Sequence, residues 1–155
     1  MHRILFVCHG NICRSPMAEY LLRSLAGQRE DAAEFVVDSA ATSAEELGNP
    51  VHPGARSKLA QQGVFCGGHR ARQLCAADYE AYDLLIGMDG ANLRNMQRLF
   101  APDPANKLCR LLDFTDRPGD IADPWYTGNF DETYDDILAG CKGLLRALSA
   151  DPRER

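Results

Sequence analysis

Short apolar runs recur along the chain, separated by intervals long enough to hold a helix. They lie at residues 3–8, 34–40, 83–88 and, more weakly, 107–112, and they predict four β-strands. The third run is apolar without interruption, which is typical of a strand buried on both faces of a sheet. We therefore expect this strand to lie inside the protein.

The intervals between these runs carry helical periodicity or turn-forming residues. Ser15 and Pro16 are typical of a helix start, with Ser15 as the candidate N-cap and Pro16 in the first turn, where its missing N–H costs nothing. The predicted helices cover about residues 16–27, 54–62, 91–99 and 131–149. The predicted loops are residues 42–53, 67–69 and 113–130.

The alternation of strands and helices predicts the fold class. A chain that returns to a strand after one helix forms right-handed βαβ units with parallel strands. We therefore predict an α/β fold of the flavodoxin-like or Rossmann-like kind, a single doubly wound domain whose four-stranded parallel sheet has helices on both faces. The domain is expected to cover residues 1–150, with 151–155 as a flexible tail. Ligands of such sheets bind at the carboxyl ends of the strands.

Composition narrows the functional class. The 155 residues carry a net charge of -5, which argues against binding to nucleic acid. No apolar stretch approaches a membrane span and the first residues lead into a strand rather than a signal peptide, so we expect a cytoplasmic protein without a membrane partner. A monomer is the simplest expectation for the oligomeric state.

Cysteine and histidine usage points away from a metal centre. The six cysteines lack a Cys-x-x-Cys pair and the four histidines are scattered, so no zinc site is predicted. A chain of this length without an export signal does not need a disulfide framework. We expect reduced thiols and no cofactor.

The junction between the first strand and the first helix carries the candidate chemistry. Cys8 ends the strand, and Arg14 follows six residues later at the helix start. Backbone N–H groups at a helix N-terminus bind anions, and arginine presents a planar fork that matches two phosphate oxygens. The same donors stabilise a thiolate. A lone cysteine more often packs as a small core residue, so the prediction of a nucleophile at Cys8 depends on these neighbours.

A longer set of motifs carries a family resemblance. The pattern Cys8-x5-Arg14-Ser15, with its flanking residues 10–13 and 16–19, resembles the signature of the low molecular weight protein tyrosine phosphatases. The resemblance continues in the family's order through residues 38–43, 48–50, 69–74, 88–93 and 123–126. It therefore covers nearly the whole chain.

The resemblance implies a protein-tyrosine phosphatase that acts on phosphotyrosine in proteins. Cys8 would attack phosphorus and form a cysteinyl phosphate, and Arg14 would clamp the phosphate oxygens. Asp123 would protonate the leaving phenol and then activate water. No metal or cofactor is needed, and phosphate-like oxyanions are expected to inhibit. Without the resemblance, an aspartate before proline is usually a turn residue.

Other matching positions imply supporting roles for the loop. Asn11, Ser39 and His69 match positions whose side chains hold the phosphate loop in shape, and asparagine tolerates the positive φ that such a loop needs. Outside the family context, His69 would be taken for an exposed loop histidine. The residues predicted to bind phosphate or support the loop are His9, Gly10, Asn11, Ile12, Cys13, Ser15, Ser39 and His69.

Two of these loop residues have a second interpretation. Cys13 matches the cysteine that forms a disulfide with Cys8 under oxidation and protects it, although it could simply be a packed thiol. His9 either tunes the thiolate or faces solvent. Ser15 could donate its hydroxyl to the sulfur as well as cap the helix.

One wall of the predicted pocket matches the family and supports phosphotyrosine as the substrate. Ile12 accompanies phosphotyrosine specificity, whereas phosphoarginine phosphatases have threonine at this position. Trp125 would present an aromatic face to the substrate ring, with Tyr126 beside it.

The opposite wall departs from the family. Many relatives place an aromatic residue after the position of Ser43, whereas this chain has residues 44–47 there. Leu47 could replace the aromatic residue in part. Glu45 and Glu46 could disfavour acidic peptides or favour basic ones.

Two alternative functions stay open at this point. Thiol-dependent arsenate reduction uses the same fold and loop, and Cys66 and Cys75 flank a glycine-rich segment that could deliver resolving thiols. Asp123 and Ile12 argue against it, because arsenate reduction needs neither a phenol-protonating acid nor an apolar ring wall. A catalytically silent phosphoprotein-binding module is the second alternative, although every catalytic position is intact.

Overall fold

Four parallel strands form the central sheet of the computed structural model, which describes residues 1–149. The strands are β1 (His2–Cys8), β2 (Phe35–Ala41), β3 (Leu84–Gly87) and β4 (Leu108–Arg110), in the order β2-β1-β3-β4. The predicted four-stranded parallel sheet is confirmed. The predicted tail at residues 151–155 lies outside the described residues.

Helices connect the strands and cover the sheet. Within residues 1–149 the α-helices are α1 (Arg14–Gly27), α2 (Pro53–Gln61), α3 (Asp78–Ala81), α4 (Gly90–Phe100), α5 (Pro124–Thr127) and α6 (Phe130–Leu148), with 3₁₀ turns at Ala32–Glu34 and Leu111–Phe114. The four long helices confirm the predicted ones to within one or two residues. The predicted loop at residues 113–130 is wrong in part because it contains α5, a single turn too short to show periodicity. None of the helices in this part of the chain is long and apolar enough to cross a membrane.

The side chains of β1 explain why its sequence is apolar throughout. Ile4 and Phe6 are fully buried in a cluster with residues of α1, α2 and α6 on one face of the sheet. Leu5 and Val7 are equally buried in a second cluster with residues of α4 on the other face. Because successive side chains of a strand point to opposite faces, a strand covered on both sides is apolar at every position.

Two glycines let α6 approach the turn at Leu111–Phe114 closely. A Cβ at Gly140 would lie 2.4 Å from Leu111 Cγ, and one at Gly143 would lie 2.1 Å from the carbonyl oxygen of Phe114. Neither position has room for a side chain. The turn is therefore seated on the helix, and it fixes the start of the loop that leads to Asp123.

Further contacts fix the end of this loop. The Ile121 N–H donates to the Met88 carbonyl over 2.9 Å, and Thr133 Oγ1 donates to the Ala122 carbonyl over 2.9 Å. Since Met88 follows β3 and Thr133 belongs to α6, the residues before Asp123 are attached to both the sheet and the last helix. Asp123 is thus held at the carboxyl edge of the sheet, beside the end of β1.

Candidate active site

Cys8 is the last residue of β1, and its sulfur is nearly buried with 3% of the residue exposed. The sulfur accepts hydrogen bonds from the N–H groups of Asn11 (3.3 Å) and Ser15 (3.4 Å) and lies 3.0 Å from Ser15 Oγ. Such donors favour a negatively charged sulfur over a neutral one.

The loop between β1 and α1 also offers backbone donors to a ligand. Among the described residues, the N–H groups of Gly10, Ile12 and Cys13 donate to no other protein group. Backbone N–H groups that converge at a helix N-terminus form an anion-binding concavity. The geometry therefore supports the predicted phosphate cradle.

Ser15 belongs to this loop rather than to the helix cap. The residue preceding α1 is Cys13, whose side chain makes no capping hydrogen bond, and Ser15 is the second residue of the helix. The predicted N-cap role of Ser15 is wrong, because its hydroxyl is taken up by Cys8 and Asn11.

Asn11 shapes the loop through its backbone and both ends of its side chain. Its φ is 59°, in the left-handed region that asparagine tolerates. The Arg72 N–H donates to Asn11 Oδ1 (3.1 Å), and His69 Nε2 donates to the Asn11 carbonyl (2.8 Å). Because Oδ1 accepts, the side-chain nitrogen Nδ2 must face the remaining partners.

A directed chain of hydrogen bonds runs from Glu19 to the sulfur. Ser39 Oγ donates to Glu19 Oε1 (2.5 Å), so it must accept from Asn11 Nδ2 (2.8 Å). Asn11 Nδ2 also donates to Ser15 Oγ (2.8 Å), which leaves the Ser15 hydrogen free for Cys8. The chain supplies the sulfur with a third hydrogen-bond donor.

Glu19 is a member of this network whose role the sequence did not indicate. Burial raises the pKa of Glu19, while the Ser39 hydrogen bond and the nearby Arg23 oppose that shift. Arg23 Nη2 lies 2.7 Å from Glu19 Oε2. The available signal was an acidic residue one helical turn after Ser15, on the face of α1 that is otherwise buried.

Arg14 is buried and held by acidic groups. Its Nη1 donates to Asp89 Oδ2 (2.6 Å) and to the Ile121 carbonyl (2.9 Å), and its Nη2 lies 3.4 Å from Asp123 Oδ2. Burial alone would lower the pKa of Arg14, but the Cys8 sulfur, Asp89 and Asp123 together outweigh burial and raise it. Arg14 is therefore a fixed cation beside the sulfur.

Asp89 is a second site residue without a predicted role of its own. It caps α4 by accepting a hydrogen bond from the Asn92 N–H (2.8 Å) and at the same time orients Arg14. Its signal was an aspartate directly after a buried strand, with asparagine three residues later in capping-box spacing.

Asp123 is aimed at the pocket by its own backbone. It precedes α5, and its Oδ1 accepts a hydrogen bond from the Trp125 N–H (3.0 Å). Its Oδ2 is turned toward Arg14, and the side chain is about one-fifth exposed at 22%. The carboxyl group is thus oriented and still accessible from the pocket.

The pocket gathers most of the predicted site residues. It has a volume of about 100 Å³ and is lined by Cys8, His9, Gly10, Ile12, Cys13, Arg14, Glu45, Glu46, Asp123, Trp125 and Tyr126. Asn11, Ser15, Ser39 and His69 form the layer behind the loop. Leu47 does not line the pocket and is 52% exposed, so the wall predicted for it is formed by the two glutamates.

Trp125 rests on an aromatic support that the sequence did not indicate. Its ring meets the His52 ring edge-on at 5.7 Å, and His52 stacks on Phe130 at 5.4 Å. A Cβ at Gly54 would lie 2.4 Å from the Phe130 ring, so only glycine admits Phe130 there. The Trp125 ring is therefore largely exposed but packs against the His52 ring.

The remaining thiols are less suited to nucleophilic attack. Burial, reinforced by the nearby Cys8 sulfur, raises the pKa of Cys13 to about 12. Neither Cys66 nor Cys75 lines the pocket. Of the two cysteines that line the pocket, Cys8 is therefore the one whose sulfur is surrounded by hydrogen-bond donors.

Comparison with known proteins gives one consistent result. The family model described as low molecular weight phosphotyrosine protein phosphatase matches residues 3–154. The chain is 37% identical over 153 residues to the low molecular weight protein-tyrosine-phosphatase YfkJ of Bacillus subtilis, covering 97% of this chain and 98% of the relative. The crystal structure of YfkJ has a TM-score of 0.92 and covers 96% of this chain and 94% of its own.

Two further solved structures are similar. SP-PTP, a low molecular weight protein tyrosine phosphatase from Streptococcus pyogenes, is 34% identical with a TM-score of 0.88, and 99% of this chain and 97% of that chain are covered. A Drosophila arginine phosphatase is 30% identical with a TM-score of 0.87, and the coverage is 96% and 99%. Sequence and fold thus agree over nearly the whole chain.

Proposed function

We propose that this protein hydrolyses phosphotyrosine in proteins through a cysteinyl-phosphate intermediate. The chain belongs to the low molecular weight phosphotyrosine protein phosphatase family. One observation carries the proposal. The Cys8 sulfur, with hydrogen-bond donors around it, lies in the same pocket as Arg14 and Asp123.

In the first step, the Cys8 thiolate attacks phosphorus and the bond from phosphorus to the phenolic oxygen breaks. The backbone N–H groups of the loop and the guanidinium of Arg14 bind the phosphate oxygens, whose charge is redistributed in the transition state. Asp123 gives its proton to the phenolic oxygen, so tyrosine leaves as a neutral phenol.

In the second step, water attacks the phosphorus of the cysteinyl phosphate. Asp123, now a carboxylate, takes a proton from that water, and the phosphorus–sulfur bond breaks. Cys8 leaves as a thiolate, and the hydroxyl of Ser15 donates to the sulfur and stabilises it. Inorganic phosphate is released, and related oxyanions should compete for the same cradle.

The walls of the pocket support an aromatic substrate. Ile12 lines the pocket, and Trp125 offers a ring backed by His52 and Phe130. Because one similar structure is an arginine phosphatase, the choice between phosphotyrosine and phosphoarginine has to be tested directly. Ile12 and the exposed indole favour phosphotyrosine.

The arsenate alternative lacks support from the pocket. Cys66 and Cys75, the resolving thiols it would use, are absent from the pocket lining. Cys13 is the other thiol in the pocket, and we propose that it protects Cys8 instead. After peroxide converts the Cys8 thiolate to a sulfenic acid, the Cys13 thiol displaces water and a disulfide forms.

The test is phosphate release from matched phosphotyrosine, phosphoserine and phosphoarginine peptides in the presence of EDTA. We expect turnover of the phosphotyrosine peptide, loss of at least about 10⁴-fold in Cys8→Ser, and loss of about 10²- to 10⁴-fold in Asp123→Asn. Cys75→Ser and Asp116→Asn, which change exposed residues outside the pocket, are the matched controls.

Several outcomes would contradict the proposal. Turnover by Cys8→Ser would remove the cysteinyl phosphate from the mechanism, and a preference for phosphoarginine would change the substrate. Tight peptide binding with no turnover would instead indicate a phosphoprotein-binding module.

A further inference from the structure

We propose that Glu45 and Glu46 select phosphotyrosine segments that carry lysine or arginine beside the phosphorylated residue. The inference rests on the proposed phosphatase function and names a preference within its substrates. Both glutamates line the pocket that also holds Cys8 and the unpaired loop amides. They therefore face the polypeptide on either side of a phosphotyrosine bound there.

The segment that carries the two glutamates is attached to the phosphate loop. The Thr42 N–H donates to the Cys8 carbonyl (2.9 Å), and the Ser43 N–H and Oγ both donate to the His9 carbonyl (3.1 and 2.9 Å). These hydrogen bonds therefore fix the distance between the Cys8 sulfur and the backbone that carries the two carboxylates.

The side chains of the glutamates are also held. Glu45 Oε2 lies 3.0 Å from His9 Nε2, and Glu46 Oε2 accepts from Asn49 Nδ2 (2.6 Å). A Cβ at Gly10 would lie 3.3 Å from Glu46 Cγ, so the glutamate stem rests on the loop where a side chain is missing. Held carboxylates lose less conformational entropy on meeting a cation than free ones do.

The charges of the pocket favour a cation on the substrate. Arg14 already faces Asp89 and Asp123, and within residues 1–149 the His9 ring pairs with Glu45. Glu46 is paired with the neutral amide of Asn49. An acidic residue next to phosphotyrosine would therefore meet negative charge, whereas lysine or arginine would meet two carboxylates.

The experiment compares kcat/KM for two phosphotyrosine peptides that differ only in flanking residues, lysine in one and glutamate in the other. Exposed ion pairs give modest energies, so we expect the lysine peptide to be preferred about tenfold at low salt. The preference should shrink at roughly 1 M salt, where the Debye length is about 3 Å.

Two double variants test whether the preference for the lysine peptide comes from Glu45 and Glu46. In the double variant Glu45→Gln/Glu46→Gln the ratio should fall toward one. The control Glu34→Gln/Glu80→Gln removes the same charge from exposed residues near the amino ends of β2 and β3, at the opposite edge of the sheet, and should keep the ratio. Circular dichroism checks that each variant is folded.

Each result bears on a different claim. A ratio near one in the wild type, or an equal preference in the wall variant, would overturn this inference while the phosphatase proposal stands. Absence of phosphate release from both peptides by the wild type would overturn the phosphatase proposal itself.

Discussion

The floor of the pocket and its rim are stabilised in different ways. The floor is the layer of buried polar side chains behind the loop residues that line the pocket. Its members Asn11 and Ser15 are fully buried, and each side chain is paired. The rim carries Trp125 and Tyr126, which are 58% and 81% exposed. A buried polar group that loses its partner costs free energy, whereas removal of the largely exposed Trp125 ring costs little stability because it ends one edge contact with His52. If the proposed mechanism holds, substitutions in the floor should change both stability and turnover, whereas substitutions at the rim should mainly change substrate binding.

The largest effect is expected in the floor from Ser39→Ala, which removes the hydroxyl between Asn11 and Glu19. We expect kcat to fall about 10- to 100-fold and the free energy of unfolding to fall by about 1–3 kcal/mol, because two buried groups lose a partner. Steady-state kinetics and urea unfolding measure the two effects. Ser57→Ala, an exposed serine on α2, is the control. A stable variant with unchanged kcat would show that the floor does not depend on the network.

A smaller effect is expected at the rim from Trp125→Ala. Loss of the exposed ring should lower kcat/KM for a phosphotyrosine peptide about 3- to 10-fold, mainly through KM. The free energy of unfolding should change by less than about 0.5 kcal/mol, as for other exposed positions. Phe65→Ala, at a residue that is 89% exposed, is the matched aromatic control. A large loss of stability would assign Trp125 to the core instead of the rim.

The smallest expected effect is a pH dependence of stability that comes from Glu19 in the floor. Burial raises the pKa of Glu19 above its ordinary 4.5, so the unfolded chain loses this proton at a lower pH than the folded protein does. The stability contributed by neutral Glu19 is complete below pH 4.5 and is lost as pH rises through the folded pKa. The wild type should therefore lose stability relative to Glu19→Gln as pH rises above 4.5.

Urea unfolding at several pH values measures this difference, with exposed Glu80→Gln as the control for loss of one carboxylate. A difference between wild type and Glu19→Gln that stays constant with pH would mean that the folded protein does not perturb this carboxyl group.

The sequence was informative wherever the physical cause is local. The strand that ends at Cys8 and the helix that follows are visible in periodicity, and the proposed phosphate loop between them is visible in the spacing of Cys8 and Arg14. The sequence leaves Ser15 with two roles, as a helix cap and as a donor to the Cys8 sulfur, because a hydroxyl at a helix start serves both equally well. Helix α5 was missed because one turn has no period.

Contacts between distant residues could not be predicted in the same way. The ion pair between Arg14 and Asp89 joins residues that are 75 positions apart in the sequence. The hydrogen bond between Ser39 and Glu19 joins residues that are 20 positions apart. In the segment at residues 44–47, nothing local indicates which side chains turn toward the pocket. Leu47 was therefore favoured, although the two glutamates form the wall.

The close packing of α6 at Gly140 and Gly143 has a consequence for the timing of catalysis. The segment that carries Asp123 is seated on α6 at its start, and at its end it is hydrogen-bonded to Met88, just after β3, and to α6. Enzymes that bring their acid in on a mobile lid spend part of each cycle opening and closing. In the proposed mechanism, Asp123 is therefore in position before the substrate binds.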